Sequence, residues 1–305
     1  MKKYISSILV MMCLLNFISI AGAAQNSNTK QEQKAAWEEA EKAKIVGPTK
    51  ISLLDQAQIT IPAHYEFIPQ PQASKVMKSM GNGDCPEMVG FIISDKDNEE
   101  WILTIDYTKS GYIKDDEAKN WNADELLTSL KEGTKENNKE RKQKGLSELT
   151  VNGWVEKPQY DAARHYLVWS VELAARGEKE KTINYNTYAL GREGYLTLAL
   201  VTDLKKIGSE KAIAQNLLAA TEFVPGKRYE EFNSLTDNIA EYGLAALVTG
   251  VAAKKLGLLA MIAAFCLKFI KLIIIGVGAL GVLIMKFFKK KKNEKDNETS
   301  ETTEQ

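Results

Sequence analysis

The chain has 305 residues, and 40 Lys plus Arg balance 40 Asp plus Glu, a formal net charge of zero. That balance lacks the positive field of a nucleic-acid binder, so no nucleic-acid partner is expected. Three cysteines and two histidines exclude a dense disulfide scaffold and offer little to a metal site, and no cofactor is expected.

In chain order, residues 1–24 start with Lys2 and Lys3, run apolar from Ile8 to Ile20 and close on Ala21-Gly22-Ala23. This is the layout of a secretory signal peptide cut after Ala23 or Ala24. An uncleaved membrane anchor is the alternative, and either one exports the domain behind it. Cys13 falls in this segment and Cys266 in an apolar stretch far downstream, so no intrachain disulfide is expected for Cys85. Residues 25–44 are polar around Trp37 and read as a linker or a loosely held helix, ended at Gly47-Pro48.

Residues 45–234 are enough for one domain of ordinary size. Gln58–Pro62 and Tyr65–Pro69 read as short extended runs, and Pro71–Met80 as a helix stopped by Gly81-Asn82-Gly83. Met88–Ser94 and Trp101–Tyr107 predict an antiparallel pair. In the second strand Trp101, Leu103, Ile105 and Tyr107 share one face, while Thr104 and Asp106 take the other. A long helix runs from Asn122, its N-cap, to Lys142. Ala123, Leu126, Leu130, Thr134, Asn137 and Arg141 recur on one face of it, apolar in the first half and polar in the second.

Leu149–Trp154 is a predicted strand, Pro158–Asp161 a turn, and Arg164–Leu173 a longer strand. Gly177–Lys181 turns the chain into Ile183–Ala189, and Gly191-Arg-Glu-Gly194 turns it again into Tyr195–Val201. Short loops favour an antiparallel meander. A further helix, Ser209–Thr221, buries Ile213, Leu217 and Ala220, and Tyr229 and Phe232 pack the exit segment back onto the domain. The expected class is α+β, an antiparallel sheet flanked by two or three helices and followed by a C-terminal transmembrane helix.

Several runs carry a resemblance. They are Gly111-Tyr-Ile-Lys-Asp-Asp116, Asp124-Glu-Leu-Leu127, Gly153-Trp154 with Pro158 and Tyr160-Asp161, and Asn184-Tyr-Asn-Thr187. Leu190-Gly-Arg-Glu-Gly194, Phe223-Val-Pro-Gly-Lys-Arg-Tyr229 and Glu241-Tyr-Gly-Leu-Ala-Ala246 come after them in the same order. From Gly47 to Lys289 the chain resembles the bacterial membrane-anchored proteins catalogued as domain of unknown function 2167. The resemblance implies location and architecture, and no activity. Separately, Ile-Thr-Ile-Pro followed by a sheet and a C-terminal helix is similar to the Mog1/PsbP-like α/β/α sandwich, by fold analogy.

The candidate chemistry is sparse. Asp115, Asp116 and Glu117 are consecutive, so their side chains diverge, and no calcium loop surrounds them. No Gly-x-Ser-x-Gly elbow occurs, and Cys85 has no basic neighbour in sequence. His165 shares a face with Leu167 and Trp169, as a buried and hydrogen-bonded ring would. Asn137, Arg141, Asp161, His165, Asn184 and Arg192 are the polar candidates, because each lies in or beside an apolar element. One account is an internal ion-pair network, Arg141 or Arg192 with Asp161. The other is a pocket that takes a carboxylate or glycan through an arginine fork. Convergence of these residues in one concavity would favour a ligand site or a hydrolase using Asp161 with Arg192. Dispersal would favour an interaction module.

The last region decides location. Residues 235–268 read as apolar membrane-proximal helices, 269–288 as a transmembrane helix and 289–305 as a cytoplasmic tail. As one helix, Leu256 to Met285 would extend about 45 Å against a hydrocarbon core of about 30 Å. A span centred near Cys266 would bury Lys268 and Lys271 at about 2.5–3.5 kcal/mol each. A span from Phe269 to Phe288 sets Lys271 and Lys286 near opposite interfaces. Lys289, Lys290, Lys291 and Lys292 then lie in the cytoplasm, while two spans, with Leu244–Leu267 as the first, stay open. The expectation is an extracytoplasmic binding or assembly module on the cytoplasmic membrane. Its partners would be the lipid bilayer and other envelope or membrane proteins, or further copies of itself.

Overall fold

The computed structural model describes residues 25–250, apart from 81, 83–84, 97–98, 120, 144–147 and 176–181. The segment expected as a signal peptide, the turn expected at 177–181 and the expected transmembrane helix and tail with their seven lysines therefore lie outside the described residues. No helix among the described residues is long and apolar enough to cross a membrane.

The chain opens with α1 (Gln25–Ala43). The stretch expected as a linker or loosely held helix is thus a packed helix. Ala36 and Ala40, one turn apart, are buried, and Trp37 meets the edge of Phe91 at 5.9 Å between ring centroids. Three apolar residues on one stripe suffice, because the rest of α1 is solvated. Then come β1 (Ile45–Val46), β2 (Thr49–Leu53), β3 (Ala57–Ile61), β4 (Tyr65–Pro69) and α2 (Gln72–Ser79). β5 (Met88–Ser94), β6 (Ile102–Thr108) and α3 (Ala123–Gln143) come next. Asn122 caps α3 as expected, its Oδ1 accepting the Asp124 N–H at 2.9 Å.

The next four strands are β7 (Leu149–Asp161), β8 (Tyr166–Ala175), β9 (Thr182–Leu190) and β10 (Tyr195–Asp203). The turn expected at Pro158–Asp161 is instead the far end of β7. Proline is tolerated there because β7 is the outermost strand and is bulged at three places along β8. α4 (Ile207–Ala219), β11 (Thr221–Phe223) and α5 (Ala245–Thr249) complete the described chain. α4 buries Ile207, Glu210, Ala214, Leu217 and Leu218. Of the expected stripe, Leu217 is fully inside and Ile213 packs at its margin.

The strands form an eight-stranded antiparallel sheet in the order β1-β4-β5-β6-β10-β9-β8-β7 and a three-stranded sheet, β11-β3-β2. One face of the large sheet carries the main core. Leu103, Ile105, Tyr185, Leu196, Leu198 and Leu200 meet Ile59 and Ile61 of the small sheet and Leu217 of α4. On the other face, Ile68, Phe91 and Ile102 pack beneath α1 and α2. At the β7–β9 end of that face lie α3 and α5. Trp154 donates its indole N–H to the Ala123 carbonyl at 3.0 Å, and Tyr188 its hydroxyl to Leu247 at 3.2 Å. Cys85 is buried beside α2 and is disulfide-bonded, with its partner outside the described residues. The expectation of no bridge does not hold.

Candidate functional site

The β9–β10 turn and the ends of β7 and β8 meet at one end of the large sheet. The Leu190 N–H donates to the His165 carbonyl at 3.0 Å, and the Gly191 N–H to the Gly194 carbonyl at 2.8 Å. Both glycines are demanded by close approach. A Cβ on Gly191 would lie 2.4 Å from the Phe223 ring, and one on Gly194 2.0 Å from the Thr108 carbonyl oxygen. The turn is therefore structural, not a phosphate loop.

Arg192, at the tip of that turn, grips Asp237 in a fork: Nε to Oδ2 at 2.6 Å and Nη2 to Oδ1 at 2.9 Å. Asp237 also accepts the Asn233 N–H at 2.8 Å and the Thr236 hydroxyl at 2.9 Å. The Arg192 bond, ahead of the others, holds the Asp237 carboxyl well below the usual carboxylate range. The fork ties the segment after β11 to the sheet.

Beside it stands a ladder of rings. His165 stacks on Tyr229 with centroids 4.0 Å apart, Tyr229 on Tyr112 at 4.4 Å, and Tyr112 on Phe232 at 3.9 Å. The Tyr229 hydroxyl donates to the Ile113 carbonyl at 2.7 Å. Tyr160 donates its hydroxyl to Asp115 Oδ2 at 2.7 Å and lies 3.1 Å from His165 Nδ1. Burial first, then the bond to Asp115, pushes the Tyr160 phenol far up, so it stays a donor. With that proton committed to Asp115, the imidazole is the donor to Tyr160, which sets its proton on Nδ1. His165 itself has φ 57, the left-handed region, which swings its ring off the strand path toward Tyr229.

The six polar candidates do not converge. Asp161, His165 and Arg192 lie at this end, but Asp161 pairs with neither Arg141 nor Arg192. Its Oδ1 accepts the Ala163 and Arg164 N–H groups at 2.9 and 3.2 Å, and its Oδ2 the Arg164 guanidinium at 3.3 Å. The Ala163 bond, foremost, lowers its pKa. Arg141 belongs to the opposite end of β7. One turn before it, Asn138 exchanges two hydrogen bonds with Leu149, the first residue of that strand. Thirteen residues of β7 put Asp161 on the order of 35–40 Å away at about 3.3 Å per residue. Arg141 is buried, and burial lowers its pKa. Asn137 is half-buried on the same helix face. Asn184 sits in the middle of the sheet opposite Val171 and Val201, its Oδ1 buried without a hydrogen bond.

The residues that do meet are Tyr112, Asp115, Tyr160, Tyr229 and Phe232, and neither their type nor their spacing points to chemistry. Four of them fall inside the runs Gly111–Asp116, Tyr160–Asp161 and Phe223–Tyr229, and that clustering is the signal the sequence offers. No group of three or more His, Cys, Asp or Glu among the described residues could hold a metal ion.

Fold and site together define an α+β domain whose sheet end is closed by an aromatic ladder and an arginine fork. The chain belongs to the family described as protein of unknown function DUF2167, whose model matches residues 45–279. No curated protein matches the chain. Among solved structures it is similar to the solution structure of cyanobacterial PsbP (CyanoP) from Synechocystis sp. PCC 6803. That similarity has 9% identity and a TM-score of 0.37 over 59% of this chain and 94% of that one.

Proposed function

We propose that the chain is a binding or assembly module of the bacterial cell envelope, held outside the cytoplasmic membrane by one C-terminal transmembrane helix. A Mog1/PsbP-like sandwich belongs to the same proposal and rests on the sequence pattern alone. The observation that supports the reading best is how the polar residues are used. Arg192 is closed by Asp237, Asp161 by its own turn and Arg164, and Arg141 is buried far off. A hydrolase needs acid, base and binding cation around one reacting group. Here those groups are spread along the sheet or spent on holding loops, which is what a rigid display surface needs.

Affinity purification of the full chain from membranes tests this. An envelope protein or polymer should co-purify in fixed ratio, and Asp161→Asn should not release it. A chain that purifies alone and hydrolyses an envelope substrate in an Asp161-dependent way would overturn the reading. A fluorescent-protein fusion after Lys292 should mature in the cytoplasm; an extracytoplasmic tail refutes the single span.

A further inference from the structure

The sheet end that carries the ring ladder also contains a cavity of about 320 Å³. Two arginines line it, Arg164 and Arg228, together with His165. Arg164 spends one donor of its guanidinium on Asp161 at 3.3 Å and leaves the rest of its fork. Arg228 is fixed by its backbone rather than its side chain. Its N–H donates to Glu231 Oε2 at 2.9 Å, and its main chain bridges to Gly191. Its guanidinium, on an exposed residue, has no ion-pair partner among the described residues.

The third group is oriented. His165 Nδ1 is turned to Tyr160, with Asp115 Oδ2 behind it at 3.7 Å. Its Nε2 edge has no partner among the described residues. The chain of contacts from Asp115 through Tyr160 to His165 fixes the imidazole's orientation, with its outer edge toward the two arginines' side of the cavity lining. Two planar guanidinium forks lining one cavity are the recognition chemistry of an oxyanion.

We propose that this cavity binds a single oxyanion, a carboxylate or a phosphate group, between Arg164 and Arg228 and beside His165. The proposal rests on the binding-module reading and supplies the chemistry of what is bound. Glu222 and Glu230 also line the cavity, and they repel a second negative charge. The site therefore takes one anionic group on an otherwise neutral ligand and rejects polyanions. Phe223, half-buried in the lining, offers the apolar surface on which the neutral part rests.

The chain's histidine count makes the test clean. It has two, so full-length untagged protein labelled with carbon-13 at the imidazoles gives two signals in micelles. Inorganic phosphate and acetate are titrated separately at constant pH and ionic strength, with chloride as control. The expected result is a saturable shift of the His165 signal with phosphate, acetate or both, while His64 stays put. Whichever anion saturates identifies the group. Arg228→Ala should weaken binding by about tenfold or more, with an unchanged melting midpoint because the residue is exposed, and Arg228→Lys should recover part of it. A linear drift of both signals, or Arg228→Ala binding like the wild type, overturns the site. If neither anion saturates while the chain still brings down an envelope partner, the oxyanion site fails and the module stands. Saturation in a chain that purifies alone does the reverse.

Discussion

Where β6, β10 and β9 cross the middle of the large sheet, its two faces differ sharply. One carries Leu103, Ile105, Leu198, Leu200 and Tyr185, all fully buried under the small sheet and α4. The other carries Thr104, Asp106, Thr197, Ala199, Asn184 and Asn186, placed together by the register of the three strands. On that second face the apolar packing borders this polar group, beneath α1 and α2 on one side and along the rings of Trp169, Tyr188 and Tyr195 on the other. The first face drives folding through area removed from water. The second buries polar groups at a cost, and Asn184 Oδ1 has no compensating bond at all. Alternation along a strand thus separates the part of the domain that holds it together from the part that stability alone would not have chosen.

Four perturbations test this contrast. Leu198→Ala, in the middle of the apolar face, should cost about 4 kcal/mol of unfolding free energy by the transfer and cavity contributions; a loss under about 1 kcal/mol would remove that face from its leading role. Arg141→Ala should cost on the order of 3 kcal/mol, because it empties a buried site and removes the interaction that holds this side chain there. An unchanged denaturation midpoint would sink that.

Asp106 tests the polar face through pH. Its carboxyl is enclosed although the residue keeps some exposure, and burial first, then the nearby Glu87, pushes it up to about 7. The folded state then holds a proton that the unfolded chain has lost, so stability falls as pH rises from about 4 to about 7. Burial raises Glu87 and Glu210 as well, with the same sign. Asp106→Asn should flatten part of the decline in melting temperature across that range, and an unaltered slope would show the carboxyl is not enclosed. The smallest effect belongs to Asn184→Leu. If the amide only fills space, stability should change by no more than about 1 kcal/mol or rise, since an orphaned acceptor disappears. A large loss would mean that it serves a bound polar group.

Much of the architecture is legible in the chain itself. Tyr65–Pro69 and Met88–Ser94 announce β4 and β5 to the residue, and the inward stripe from Ala123 to Arg141 is the observed one. Local alternation and helical spacing encode these directly. What escapes is pairing over distance. Arg192 finds Asp237 and Tyr160 finds Asp115, each 45 residues away, and no local pattern names such partners. β2 is hidden in the sequence because Thr49–Leu53 is short and gains its strand geometry from pairing with β3. α1 is faint there because three apolar residues make a weak stripe until Phe91 is known to lie beneath them. Gly153 is unexplained: nothing in the structure would obstruct a Cβ there.

The outermost strand bears on how a partner could be held. An unbroken edge invites another chain to extend the sheet by main-chain hydrogen bonds, the way many extended peptides are captured. β7 withholds that invitation: Pro158 lacks a donor, and three bulges interrupt its spacing. The opposite edge, Ile45–Val46, is only two residues long. Both edges of the large sheet thus discourage strand addition, and what that sheet offers to its surroundings is the shape and charge of its side chains.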